Sequence, residues 1–161
     1  MSCAFQELCG GCAFRHLSEA EYQKKKSRDV QFILQNLQAE DFKFAAPVFV
    51  GDGQRRRASL AFAYRKGKLK LGFNQKQSAE IVDIDNCCLL TPKLNAVLNP
   101  LRELLSELCA VKIPVMKKNK QVGVNNLNGG DVMITEADNG LDIVLEFDGD
   151  LNLDYRMIIF E

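Results

Sequence analysis

Three cysteines fall within the first twelve residues as Cys3-x5-Cys9-Gly10-Gly11-Cys12, and an adjacent pair, Cys87 and Cys88, follows far down the chain. This uneven distribution constrains the fold more than any other feature of the sequence. Thiols with two residues between them in a turn can point at one centre, and Gly10 and Gly11 let the backbone wrap closely around it. The N-terminus shows no basic stretch leading into an apolar one, which predicts a cytoplasmic chain. In that compartment clustered cysteines bind metal rather than pair as disulfides. A fourth thiolate from Cys87 or Cys88 would close the site and tie the N-terminal arm to the rest of the chain. Cys109 stands apart, on a leucine-rich helical pattern, and reads as a small buried hydrophobe.

Around these anchors the pattern is that of an α+β domain. Ser18-Glu19-Ala20-Glu21 is a capping box, predicting a helix to about Leu37 with Tyr22, Val30, Ile33, Leu34 and Leu37 on its apolar side. Phe42–Val50 reads as a strand interrupted by Pro47. Arg57–Tyr64 and Lys68–Phe73 read as a hairpin through Arg65-Lys66-Gly67, with Leu69, Leu71 and Phe73 facing one side. Glu80–Ile84 is a short strand running into the cysteine pair. Thr91-Pro92 opens a second helix, with Leu94, Val97, Leu98, Leu101, Leu104, Leu105 and Leu108 in helical register and a kink expected at Pro100. Gln121–Leu127, Asp131–Glu136 and Leu141–Phe147 complete the strands, the last two joined at Asp138-Asn139-Gly140. Leu151–Glu161 reads as the start of a helix or as a strand docking back on the sheet. The expected architecture is an antiparallel sheet with flanking helices plus a small N-terminal Cys-ligated lobe.

A net charge of zero conceals an asymmetry: residues 1–76 hold 14 Lys and Arg against 7 Asp and Glu, and the remainder hold 7 against 14. Basic density peaks between Gly53 and Lys76, with eight basic residues and no acid. Such a stretch is either a solvated hairpin surface or a contact for an anionic partner such as nucleic acid. No run approaches the length of a membrane span. Nothing in the sequence sets the oligomeric state.

Cys3-x5-Cys9-Gly10-Gly11-Cys12-x3-His16, Arg55-Arg56-Arg57, Leu71-Gly72-Phe73 and Ile81-Val82-Asp83-Ile84-Asp85-Asn86-Cys87 together resemble the N-terminal and central region of the RNA uridine C5-methyltransferases, especially their ribosomal-RNA branch. The Asp138-Asn139-Gly140-Leu141 turn resembles the same region. The resemblance implies a [4Fe-4S] cluster held by Cys3, Cys9, Cys12 and Cys87. The family pattern has Pro after the fourth ligand and Cys88 takes that slot here, so Cys87 rather than Cys88 is the implied ligand. It further implies an arm (residues 1–17) closed by Cys87, a central RNA-binding domain (residues 18–161), and a cytoplasmic enzyme acting on RNA, in particular 23S rRNA. Arg15, His16, Arg55, Arg56, Arg57, Lys66 and Lys68 are the expected RNA contacts, and Arg57, where the strand begins, is the one with an inward pairing to an acid as its alternative. The family's S-adenosylmethionine domain is expected to be absent from this chain, because no Gly-rich donor loop follows a strand and Gly51-Asp52-Gly53 reads as a turn. No residue here is expected to be catalytic. Methyl transfer to carbon needs no electron, so the cluster is expected to be structural. A stand-alone nucleic-acid module holding zinc through the same four cysteines is the alternative. An electron-transfer protein fits less well, since the compact ferredoxin cysteine run is missing.

Overall fold

Alternating apolar residues along Arg57–Arg65 build the central strand, β1, which buries Ala58, Leu60 and Phe62 and turns Arg57, Ser59 and Arg65 outward. In this computed structural model residues 3–36, 45–117 and 120–148 are described. β1 pairs antiparallel with β2 (Lys68–Asn74), and Phe62 opposite Leu71 sets the core register. The connection is tighter than expected: only Lys66 and Gly67 lie between the strands, both with positive φ (52° and 76°), the backbone of a primed hairpin turn. β3 (Ile81–Asp83) adds to the outer side of β2. On its other side β1 pairs with β6 (Gly129–Ala137), which pairs with β7 (Gly140–Phe147) through Asp138 and Asn139. The five-stranded antiparallel sheet therefore runs β3-β2-β1-β6-β7.

One face of the sheet is covered by helix α2 (Pro92–Ala110), capped by the Thr91 hydroxyl accepting from the Leu94 amide at 3.3 Å. Leu94, Leu98, Leu101, Leu105 and Cys109 pack from it into the core with Leu60, Phe62, Leu71, Val132 and Ile134, and Leu108 is buried as well. The helix is continuous through Pro100. Pro100 and Ala96, whose carbonyl loses its helical donor, are both exposed, so water can satisfy the freed oxygen. Leu104 is a correction to the expected stripe: it is 47% exposed. A separate hairpin, β4 (Ile113–Lys117) with β5 (Lys120–Asn125), follows the helix; its first strand was not expected.

The chain divides into two compact units, residues 1–11 with 52–161 and residues 12–51. The smaller one holds α1 (Glu19–Gln35) with its capping box complete. Phe14, Tyr22 and Phe49 form a ring cluster there, with Tyr22 edge-on to Phe49 and the Lys26 ammonium 4.8 Å from the Phe14 ring centroid. The expected apolar stripe of α1 is not a buried one: the helix has no buried residue, and Val30 and Ile33 are exposed. Residues 45–50 form no strand, which corrects that part of the Phe42–Val50 expectation. Phe42–Phe44, Leu37 and the Leu151–Glu161 segment lie outside the described residues.

Candidate metal centre and nucleic-acid interface

β1 pairs with β2 only as far as Ala61 and Gly72. Beyond that point the N-terminal arm takes its place beside β2. The Gly10 amide donates to the Asn74 carbonyl at 2.8 Å and the Lys76 amide to the Leu8 carbonyl at 3.0 Å, with Cys9 opposite Gln75. The Lys76 ammonium adds a bond to the Gln6 carbonyl at 2.9 Å. The approach is close enough to require glycine: a Cβ on Gly10 would lie 2.7 Å from the Asn74 carbonyl oxygen. Gly10 thus has a structural reason beyond wrapping a centre.

This docking buries Cys9, which joins the same core cluster as Cys87; each is 8% exposed. Burial pushes the Cys9 thiol above its usual range. The Gly11 amide, 3.4 Å from its sulfur, pulls the other way, and the nearby Cys87 and Cys3 thiols raise it further. A buried Cys9 thiolate with other thiols close by is what a bound cation relieves. The donor chemistry of Cys3, Cys9 and Cys87 therefore fits a thiolate-ligated centre. Among the described residues, no group of three or more His, Cys, Asp and Glu side chains is drawn in to metal-holding distance. Cys12 belongs to the smaller unit.

Cys87 is held from the helix side. Its amide donates to Asn95 Oδ1 at 2.9 Å, and Asn95 Nδ2 donates to the Cys87 carbonyl at 3.1 Å and the Leu90 carbonyl at 3.2 Å. On its other side the 88–91 segment meets the arginine run. The Gly53 amide donates to the Cys88 carbonyl, the Arg55 amide to the Leu89 carbonyl and the Thr91 amide to the Arg55 carbonyl. Asn95 was not singled out from the sequence, because an amide that clamps backbone leaves no spacing signal.

The expected RNA contacts that flank β1 stand at its two ends. Arg15 and His16 belong to the smaller unit. Arg55–Arg57 stand at the start of β1, whereas Lys66 and Lys68 stand at its far end, roughly 26 Å away for an extended strand of this length. Arg55 is exposed beside the cysteine-bearing segment. Arg56 donates to Asp138 at 2.8 Å, an exposed pair that holds the Asp138 carboxyl below its usual range. Arg57 lies exposed on the outer face, its Nε 3.2 Å from Met133 Sδ, and does not take the inward alternative. The partner of Arg56 was not legible in the sequence, 82 positions away.

Cys109 is 1% exposed, and burial raises its thiol to about 11. That is the chemistry of a core residue and not of a nucleophile. No helix among the described residues is long and apolar enough to cross a membrane.

Fold and site together define an α+β module with a cysteine-bearing arm stitched beside its central hairpin and arginines abutting the second cysteine segment. No family model matches the chain. It is 32% identical over 164 residues to the 23S rRNA (uracil(1939)-C(5))-methyltransferase RlmD of Mannheimia succiniciproducens, a match covering 99% of this chain and 33% of that protein. The protein of the same name from Histophilus somni is 33% identical over 147 residues, covering 89% of this chain and 30% of the relative. That from Vibrio cholerae is 39% identical over 108 residues, covering 65% and 24%. The chain belongs to the 23S rRNA uracil-C5-methyltransferase family, and it spans about a third of the length of the curated relatives it matches.

Proposed function

We propose that this chain is the iron–sulfur and RNA-binding portion of a cytoplasmic, S-adenosylmethionine-dependent 23S rRNA uridine C5-methyltransferase. The observation that carries the reading is the match over 99% of the chain to a protein named for that reaction. In this reading Cys3, Cys9, Cys12 and Cys87 hold a [4Fe-4S] cluster, supported by the burial of Cys9 and Cys87 in one core cluster with Cys3 near enough to influence Cys9. When bound, the cluster supplies a thiolate cross-link between the residue 1–17 arm and the Cys87 segment. It does for a small lobe what a larger apolar core would otherwise do.

The chain's own residues then perform the binding. Arg55, next to the Cys87 segment, offers a planar fork to phosphate or a splayed base, with Arg56 and Arg57 extending the ridge. Arg15 and His16 in the smaller unit, and Lys66 and Lys68 at the hairpin tip, contribute further phosphate contacts. The methyl donor is bound outside this chain. The test uses the full-length protein and 23S rRNA from cells lacking it. Incubation with labelled S-adenosylmethionine should give 5-methyluridine at a single position. Label in another RNA class alone, or none with correctly folded, cluster-loaded protein, overturns the assignment.

A further inference from the structure

Adjacent thiols at Cys87 and Cys88 pose a choice that spacing does not settle, since either could reach one centre. We propose that Asn95 is the positioning residue that makes Cys87 the ligand and excludes Cys88. The proposal rests on the reading of the cysteine centre given above.

The clamp on Cys87 is reciprocal. Asn95 Oδ1 takes the Cys87 amide and Asn95 Nδ2 gives to the Cys87 carbonyl, at 2.9 and 3.1 Å. One side chain thereby engages both backbone polar groups of a single residue, as a neighbouring strand would, and fixes that residue's orientation. A third bond, to the Leu90 carbonyl at 3.2 Å, together with the Leu90 amide donating to the Cys87 carbonyl at 3.1 Å, closes the turn around it. The anchor is firm because Asn95 lies in the first turn of α2. Its amide donates to the Thr91 carbonyl at 3.0 Å, and Leu94 beside it is fully buried. Held this way, Cys87 is buried in the core cluster with Cys9. The following peptide is turned the other way, where the Cys88 carbonyl accepts from the Gly53 amide at 2.9 Å, and Cys88 is only half-buried.

Asparagine is the side chain the geometry requires. Aspartate would accept from the Cys87 amide but could not donate to the two carbonyls, and it would place a negative charge beside a ligand thiolate. Leucine keeps the volume and loses every bond. Groups that orient a ligand without touching the metal tune its affinity, typically on the order of tenfold or more.

The experiment uses the full-length protein reconstituted anaerobically with iron and sulfide. Asn95→Leu and Asn95→Asp are each made alone and combined with Cys88→Ser, and thermal melts confirm folding. With Asn95 present, Cys88→Ser should leave iron and sulfide content unchanged. With Asn95→Leu, Cys88→Ser should weaken retention against a chelator on the order of tenfold, because Cys88 then shares the ligand role. The paramagnetic spectrum of the reduced centre should broaden to a mixture. Cys88→Ser that is silent in both backgrounds, with an unchanged spectrum, overturns the proposal. Wild-type protein that takes up neither iron nor zinc overturns instead the reading of the centre. In that case alkylation of the metal-free protein still decides on Asn95. Cys88 labelling before Cys87 in wild type and alongside it in Asn95→Leu supports the clamp, and an unchanged order refutes it.

Discussion

Arg55 and Leu90 pair as an isolated parallel bridge, with the Arg55 amide on the Leu89 carbonyl at 2.8 Å and the Thr91 amide on the Arg55 carbonyl at 3.1 Å. The arginine ridge and the Cys87 segment are therefore one piece of backbone scaffold. Whatever fixes Cys87 also fixes where Arg55 stands. Removing the proposed centre should raise amide hydrogen exchange at Arg55 and Leu90 while leaving Leu60 and Val132, in the middle of the sheet, protected. Equal protection of Arg55 with and without metal would show that the two are not coupled.

The ridge should not behave as three equal charges. Arg56 already faces Asp138, whereas Arg55 has no ion pair among those of the described residues. Arg55→Gln should therefore lower the slope of log K against log salt for RNA binding by about 0.7 to 0.9, and Arg56→Gln by less. Asp138→Asn should strengthen binding by releasing Arg56. Melting temperatures should hardly move, because exposed pairs contribute roughly 0–1 kcal/mol. Salt titrations of the single variants on a structured rRNA fragment check this. A uniform loss across the three, or none, would count against it.

Much of this fold was readable from alternation and caps. Leu69, Leu71 and Phe73 announced the core face of β2, and Ser18 with Glu21 announced the start of α1. Elements escaped where a local rule and a tertiary partner disagreed. Pro114 argues against a strand at Ile113–Lys117, yet a two-stranded hairpin with an irregular register accepts it. Phe42–Val50 has strand-like residues, but the described part, residues 45–50, finds no strand partner. Leu104 keeps the helical spacing but falls just outside the arc that α2 buries. The burial of Cys9 and Cys87 in one core cluster agrees with the cysteine spacing that singled them out. Asn95 and Asp138 were not legible, because their roles depend on backbone and side chains that only folding brings near.

Cys109 gives a pH dependence with a definite sign. Burial raises its thiol from the ordinary cysteine range to about 11, so the folded state holds that proton where the unfolded chain has lost it. Stability is fully present below the unfolded value and falls as pH rises from about 9 toward 11, by at most about 1.4 kcal/mol per pH unit. Cys109→Ala should be less stable at neutral pH from the cavity it leaves, yet show a flatter decline above pH 9. Denaturant melts across that range measure both. A parallel decline in the two proteins would mean another group titrates.

Gly72 should tolerate no side chain. A Cβ there would sit 2.0 Å from the Val82 carbonyl oxygen, on the backbone of the neighbouring strand. Gly72→Ala should destabilise by about 3 kcal/mol or more through forced separation of β2 and β3. The same change at Gly67 meets no neighbour and costs only the strain of its positive φ. Comparable losses at the two positions in chemical melts would refute the packing account.

The central claim is that Cys3, Cys9, Cys12 and Cys87 hold one iron–sulfur cluster. Iron and acid-labile sulfide analysis of anaerobically purified protein, with the visible spectrum, tests it most directly. Wild type, Cys88→Ser and Cys109→Ser should each carry about four iron and four sulfide per chain, and Cys87→Ser should carry none. Stoichiometric zinc without sulfide, or full cluster occupancy in Cys87→Ser, would contradict it.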